Sequence, residues 1–318
     1  MGINKNFNFQ TARFGIILGL FGLGTIWKQN TVLFKGEQAI IGEIILMATF
    51  CLWCLFMLLY FLKWRYNYQE ALQELRHPIQ NNYIGLSGVT MMLMATVLVK
   101  YYFILGAIFF FSGLIIQLAY GVFFTEQTWI NYHKFNYITP SLYIPTVAGN
   151  FVSAMVAGVF HYYSLGHLFL GVGFFSWLTL ESIIMNRLKQ EEFPLAYKPT
   201  LGIMMAPPSI ACAACLSLNL SELNLLIQCL LGYGLFHFII FLKLFFSILK
   251  DQFNLSFWAF SFGLTTLTNI TIQYSNKTGI LYFNNLAVFL FVVTNLILGY
   301  LIVNSVIFLK QNFLNQSK

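Results

Sequence analysis

The residues best suited by type and spacing to do chemistry are two Cys-x-x-Cys pairs, Cys51-Leu-Trp-Cys54 and Cys212-Ala-Ala-Cys215. In a soluble protein that spacing suits zinc ligation or dithiol redox work. Here each pair lies deep in an apolar run with no turn between the cysteines, so all four read as small apolar fillers. Glu43 and Glu181 also fall within apolar runs. Such a carboxylate is either a relay or a structural group bonded to a neighbouring helix near a span end, and the structural role is expected for both. His133, His161, His167 and His237 are scattered without ligand spacing. Asp251 is the single aspartate, which excludes an aspartate-rich metal–diphosphate motif, and there is no P-loop and no Gly-x-Ser-x-Gly elbow. The expectation is no enzyme, no cofactor and no metal site.

The elements that carry these residues explain the scarcity. The chain has 318 residues, of which 8% are charged and 58% hydrophobic, with a mean hydropathy of +0.73. Soluble domains average about 25% charged residues, so a disordered chain, a secreted disulfide scaffold and an ordinary soluble enzyme are excluded. An integral membrane protein is required. At about 20 apolar residues per helical crossing, the sequence divides into ten spans, at residues 12–28, 39–62, 83–99, 102–124, 141–161, 165–186, 200–218, 223–246, 254–274 and 281–309. The fifth and sixth are separated by a tight turn near His161-Tyr-Tyr-Ser-Leu-Gly166. The first is short and, with Lys5 and Arg13 before it, mimics a signal peptide. Trp27-Lys28-Gln29-Asn30 is no cleavage site, so it reads as a Gly-rich first span. One transmembrane channel domain over 1–318 leaves no room for a soluble domain.

With the N-terminus in the cytoplasm, thirteen of the seventeen Lys and Arg fall in inside segments, and Lys28, Lys35, Lys100 and Lys277 fall outside. That obeys the positive-inside rule and puts both termini in the cytoplasm. The net charge of +7 then lies in loops that set topology and meet anionic headgroups, so it is no sign of a nucleic-acid partner.

The odd spans differ from the even ones. They read Phe14-Gly-Ile-Ile-Leu-Gly-Leu, Tyr83-Ile-Gly-Leu-Ser-Gly-Val, Leu142-Tyr-Ile-Pro-Thr-Val-Ala-Gly, Leu201-Gly-Ile-Met-Met-Ala-Pro-Pro and Ala259-Phe-Ser-Phe-Gly-Leu-Thr. Each carries Gly or Pro early, whereas the even spans are greasier, as in Ile108-Phe-Phe-Phe. Small residues allow close helix approach, and a broken backbone ladder is tolerated at membrane depth only against protein or water. The pattern predicts five helical hairpins, with the odd helices as an inner kinked ring around a central pore and the even helices as an outer wall. No Asp, Glu, Lys or Arg lies inside the odd spans, and Arg13 sits at the mouth of the first. Coupled pumps and cation channels use intramembrane carboxylates, so the pattern favours a passive anion path with a positive vestibule at the cytoplasmic mouth.

Thr139-Pro-Ser-Leu-Tyr-Ile-Pro-Thr-Val-Ala-Gly-Asn-Phe, Thr200-Leu-Gly-Ile-Met-Met-Ala-Pro and Trp258-Ala-Phe-Ser-Phe-Gly resemble the tellurite-resistance/dicarboxylate transporter family, which includes plant slow anion channels and fungal malate transporters. The resemblance runs along most of the chain and is most specific at 139–151 and 257–263. It implies a homotrimer with one pore per subunit in a bacterial inner membrane, each pore plugged by a phenylalanine of the ninth span. The matching residue here is Phe262. Two departures from the family pattern are Ile17, where a proline is usual, and the pair Pro207-Pro208 in the seventh span. Both bear on local kinks and not on the architecture.

The resulting expectation is a passive, phenylalanine-gated channel for small inorganic or organic anions, linked to tellurite resistance. Phe262 is the gate, and Gly15, Gly19, Gly88, Pro145, Gly149, Pro207 and Gly263 line the pore or kink its helices. The alternative is a secondary transporter of C4-dicarboxylates such as malate. Mid-span hydroxyls are available for it (Ser153, Thr265, Thr266, Thr268), but no basic residue is.

Overall fold

The computed structural model describes residues 9–30, 39–130, 137–190, 192–220, 224–250 and 252–316. Lys5, Lys35, His133, Lys134, Asp251 and Lys318, which figure in the charge and ligand readings above, lie outside the described residues. Those residues form eleven α-helices and no strand. They are α1 (Phe14–Gln29), α2 (Ala39–Tyr66), α3 (Tyr68–Arg76), α4 (Leu86–Leu98), α5 (Phe103–Ile130), α6 (Gly149–Val159), α7 (Tyr163–Gln190), α8 (Ala206–Ser217), α9 (Asn224–Ile248), α10 (Ser261–Thr278) and α11 (Leu281–Gln316).

Among the described residues, seven segments are long and apolar enough to cross a membrane, which makes this a multi-pass membrane protein. Two of them, Pro140–Val159 and Tyr197–Ser217, are 72% and 83% buried inside the protein, against 17% to 39% for the other five. The spans expected at 12–28, 83–99 and 254–274 fall outside this set. Helices α1 and α4 have only 16 and 13 residues, and α10 carries Thr, Asn, Gln and Ser along its length. All three are mostly buried, and a helix shielded by protein need not be long or greasy to sit at membrane depth.

The packing follows the chemistry of the faces. α1 packs on α2, α4 on α5, α6 on α7, α8 on α9 and α10 on α11. The small-residue helices also contact one another in a closed circuit, α1 on α4, α4 on α6, α6 on α8, α8 on α10 and α10 on α1. Large apolar side chains such as Phe61, Ile104, Phe175, Ile239 and Leu296 point outward from α2, α5, α7, α9 and α11. Glycine sets the contact distances. A Cβ on Gly22 would lie 1.9 Å from Thr265 Oγ1, and one on Gly88 would lie 2.8 Å from the Gly113 carbonyl.

Each helix of the circuit is entered through a tighter or wider coil. The 3-10 turns span Thr11–Arg13, Gln80–Tyr83, Pro140–Leu142, Leu195–Met205 and Leu255–Phe260. The third is followed by a π turn over Ile144–Ala148, in which the Gly149 N–H reaches back to the Ile144 carbonyl. The sequence suggested kinks but placed them inside longer helices, whereas α6, α8 and α10 begin several residues after the expected span starts. Ile17 leaves α1 unbroken. Pro207 and Pro208 sit in the first turn of α8, where a missing N–H costs no hydrogen bond. The turn at His161 is as expected. α6 ends at Val159, α7 starts at Tyr163, and His161 has φ 62°. Helix α3 was not anticipated and packs on α2.

Candidate functional site

Two cavities are lined by the five-helix circuit. The first, about 320 Å³, is lined at the N-terminal ends of the helices by residues that include Gly15 and Leu18 of α1, Leu86 and Val89 of α4, Ile144 and Ala148, Ile203 and Ala206, and Phe262. The second, about 270 Å³, is lined at the other ends by Phe21 and Thr25, Thr96, Met155, Ala213 and Asn269 among others. On α1 the two linings come within three residues of one another, at Leu18 and Phe21, and on the other four segments of the circuit they are seven apart. Those four pairs are Val89 and Thr96, Ala148 and Met155, Ala206 and Ala213, and Phe262 and Asn269, the first member lining one cavity and the second the other, with Ala148 in the π turn before α6. Seven residues are two helical turns, about 10 Å of rise. The two cavities thus lie towards opposite ends of the ring, one to two helical turns apart.

Phe262 is the second residue of α10, 7% exposed, and it lines the first cavity. Gly15 lines that cavity too. The other five glycines and prolines of interest that are not on α4 line neither cavity. Gly19 lies against Ser261 and Trp258, and Gly263 against Met205 and Ala206. Pro207 opens α8. Pro145 and Gly149 converge on one residue of the outer layer, Gln117 of α5. Its Nε2 donates to the Pro145 carbonyl at 2.6 Å, and a Cβ on Gly149 would lie 1.8 Å from that nitrogen. A distorted turn has therefore found its partner on a neighbouring helix, as membrane depth requires. Gly88, on α4, packs against Gly113 and Gln117 of the same α5. Gln117 was not singled out in the sequence, where it is one polar residue in a greasy helix.

The hydroxyls are not pooled into a binding cluster. Ser153, Thr265 and Thr268 donate to carbonyls of their own helices, at Gly149 (2.8 Å), Ser261 (3.0 Å) and Leu264 (2.9 Å). Two basic residues are buried, Lys63 and Arg187, but each sits at the end of an outer helix. Among the described residues, the charged one lining the first cavity is Glu74, and it is fully engaged. Lys63 Nζ donates to Glu74 Oε2 at 2.5 Å, and Thr11 donates to Oε1 from both its backbone N–H and its hydroxyl, each at 2.8 Å. Among the described residues, no lysine or arginine lines that cavity, and the lysines that line the second cavity are Lys28 and Lys100.

The other chemistry-bearing residues have structural surroundings. Glu181 accepts from Tyr143 (2.5 Å), Trp177 (2.8 Å) and Tyr233 (2.7 Å). Glu43 accepts from Lys28 and Tyr101. Cys212 and Cys215 are buried, and Cys51 and Cys54 face outward. Among the described residues, no three His, Cys, Asp or Glu gather as a metal site requires.

The family model of SLAC1, described as voltage-dependent anion channel, matches residues 8–306. This chain belongs to the SLAC1 family. A protein of Haemophilus influenzae named tellurite resistance protein TehA homolog is 30% identical over 309 residues, 96% of this chain and 92% of its own length. The S-type anion channel SLAH2 of Arabidopsis thaliana is 22% identical over 86% of this chain and 54% of its own length. An uncharacterised transporter of Methanocaldococcus jannaschii is 25% identical over 81% of this chain and 82% of its own. The SLAC1 match takes in all five helices of the circuit and both cavities they line.

Proposed function

We propose that this SLAC1-family protein is a passive anion channel of a bacterial inner membrane, gated by Phe262. Ten helices cross the bilayer as five hairpins, with α1, α4, α6, α8 and α10 around the pore. Both termini lie in the cytoplasm, and three copies associate with one pore each. The observation that supports this reading is a pair of cavities at opposite ends of the five inner helices, with a closed section of about one turn on α1 and about two turns on the other four between their linings. A ring as large as Phe262, facing an otherwise uncharged section, blocks a hydrated ion by sterics and dewetting. Opening needs a change of its rotamer. No relay carboxylate lies in the closed section, which favours passive flow over coupled transport. The name of the Haemophilus relative ties the same path to tellurite resistance.

The test is ion-substitution electrophysiology on the purified protein in planar bilayers, wild type beside Phe262→Ala. The variant is expected to conduct at least about tenfold more, equivalent to about 1.4 kcal/mol of barrier removed, with a reversal potential that follows the anion gradient. Unchanged conductance in a folded variant sinks the gate, and a reversal potential that follows cations sinks the anion path. Counter-flow of labelled malate would instead favour a C4-dicarboxylate carrier.

A further inference from the structure

The two mouths of the path differ in charge. At the first, Glu74 is neutralised by Lys63. At the second, Lys28 at the C-terminal end of α1 and Lys100 in the turn between α4 and α5 line the cavity together with Glu43 of α2. Both Glu43 oxygens are taken, one by the Lys28 ammonium and the other by the Tyr101 hydroxyl. Two ammonium groups therefore share one carboxylate. The other lining side chains are neutral, among them Thr25, Gln29, Thr96 and Gln273. Among the described residues, one net positive charge is left on the wall of a concave mouth of about 270 Å³, and low-dielectric concave walls concentrate the potential of such a charge. Further in, the buried carbonyl oxygen of Asn269 has no hydrogen-bond partner among the described residues. Turned over, the same amide offers N–H donors at that position.

We propose that Lys28 and Lys100 form a capture site for a small monovalent anion at the second mouth, and that the Glu43 carboxylate is its built-in competitor. The inference rests on the anion-path reading above. The single uncompensated charge matches one monovalent anion. Glu43, held in place by Tyr101, occupies Lys28 until a mobile anion displaces it, and its repulsion keeps the bound anion loosely held. Conduction needs that balance, since an ion gripped too tightly does not leave. The site is hidden in the sequence because Lys28 and Lys100 read there as loop charges and Glu43 as a carboxylate within a span, and only the fold brings the three together.

The test uses chloride as the probe and the full-length protein purified in detergent, with chlorine NMR linewidth reporting exchange between solution and a protein site. Wild type should show a saturable broadening. Lys100→Gln should weaken it several-fold, the Lys28→Gln/Lys100→Gln pair should remove it, and Glu43→Gln should tighten it several-fold, with melting temperatures recorded for each. Lys100→Arg keeps the charge and should retain the binding, which separates loss of charge from loss of fold. Saturable binding that Lys100→Gln and Glu43→Gln leave unchanged would overturn the site. Chloride binding that follows these expectations while neither wild type nor Phe262→Ala passes anion current would sink the anion-path reading and leave the site standing. Anion current with binding insensitive to all three residues would sink this inference alone.

Discussion

Lys63 Nζ lies 2.5 Å from Glu74 Oε2, with the two side chains 2% and 5% exposed. The pair joins the end of α2 to α3 and extends further, because Lys63 also donates to the Phe9 carbonyl at 2.8 Å and Glu74 accepts twice from Thr11. The segment leading into α1 is therefore clamped beside the first cavity by one buried ionic knot. A buried pair does not stabilise much relative to a well-packed apolar replacement, but removing one partner strands the other charge. Lys63→Ala should destabilise the protein by about 3–5 kcal/mol, whereas Lys63→Met combined with Glu74→Leu should recover most of that loss. Chemical unfolding of the purified variants measures both, and a Lys63→Ala protein as stable as wild type would show that water reaches Glu74.

The contact between α1 and α10 makes a second, independent prediction. A Cβ on Gly22 would lie 1.9 Å from Thr265 Oγ1 and 2.4 Å from Thr265 Cβ, while Gly171 on the outer helix α7 has nothing within 4 Å. Gly22→Ala must push the two helices apart and should cost about 1–3 kcal/mol. Gly171→Ala should stay within about 0.5 kcal/mol of wild type. Thermal unfolding distinguishes the two. Equal shifts would mean that the inner ring is not packed at glycine distance.

These two cases also show what the sequence could and could not reveal. The division into helices of two kinds was legible, because a helix that faces lipid must be greasy and one that faces other helices closely must carry Gly, Ser, Thr or Pro. The position of Phe262 came from a local motif. Three features were not legible. The 3-10 entries at Gln80–Tyr83 and Leu255–Phe260 have the composition of ordinary helix starts. Gln117 gains its role only because Pro145 and Gly149 lie opposite it. Lys63 carries no mark of burial in a basic Lys-Trp-Arg stretch, since its partners Glu74 and Phe9 are brought to it by the fold.

Glu181 separates a structural carboxylate from a relay. Its donors Tyr143, Trp177 and Tyr233 come from the entry to α6, from α7 and from α9, and Tyr143 is wholly buried. Glu181→Ala leaves that hydroxyl without its acceptor and should cost about 1–3 kcal/mol. Glu181→Gln keeps one acceptor oxygen and should cost less. A relay would behave differently. Gln would then abolish flux as completely as Ala, with little change in unfolding, so stability and anion current measured on the same two variants decide the matter.

The second mouth should lose anion affinity as pH rises. Partial burial, with the Lys28 ammonium beside it, brings Lys100 down from its usual 10.5 to about 8. The titratable groups facing it in that cavity are Lys28 of α1, Glu43 of α2 and Tyr101 of the same turn, whereas α4, α6, α8 and α10 contribute uncharged side chains such as Thr96, Met155, Ser217 and Gln273. The bond to Glu43 pushes the Tyr101 phenol up, so Tyr101 stays neutral while Lys100 titrates. Below about 8 Lys100 is an ammonium and attracts the anion, and as pH climbs through that value it becomes a neutral amine and the net charge of the mouth is lost. Chloride affinity should therefore fall several-fold between about pH 7 and about pH 9. An arginine keeps its proton across that range, so Lys100→Arg should give a flat profile, and a wild-type profile equally flat would show that Lys100 does not set the charge of this mouth.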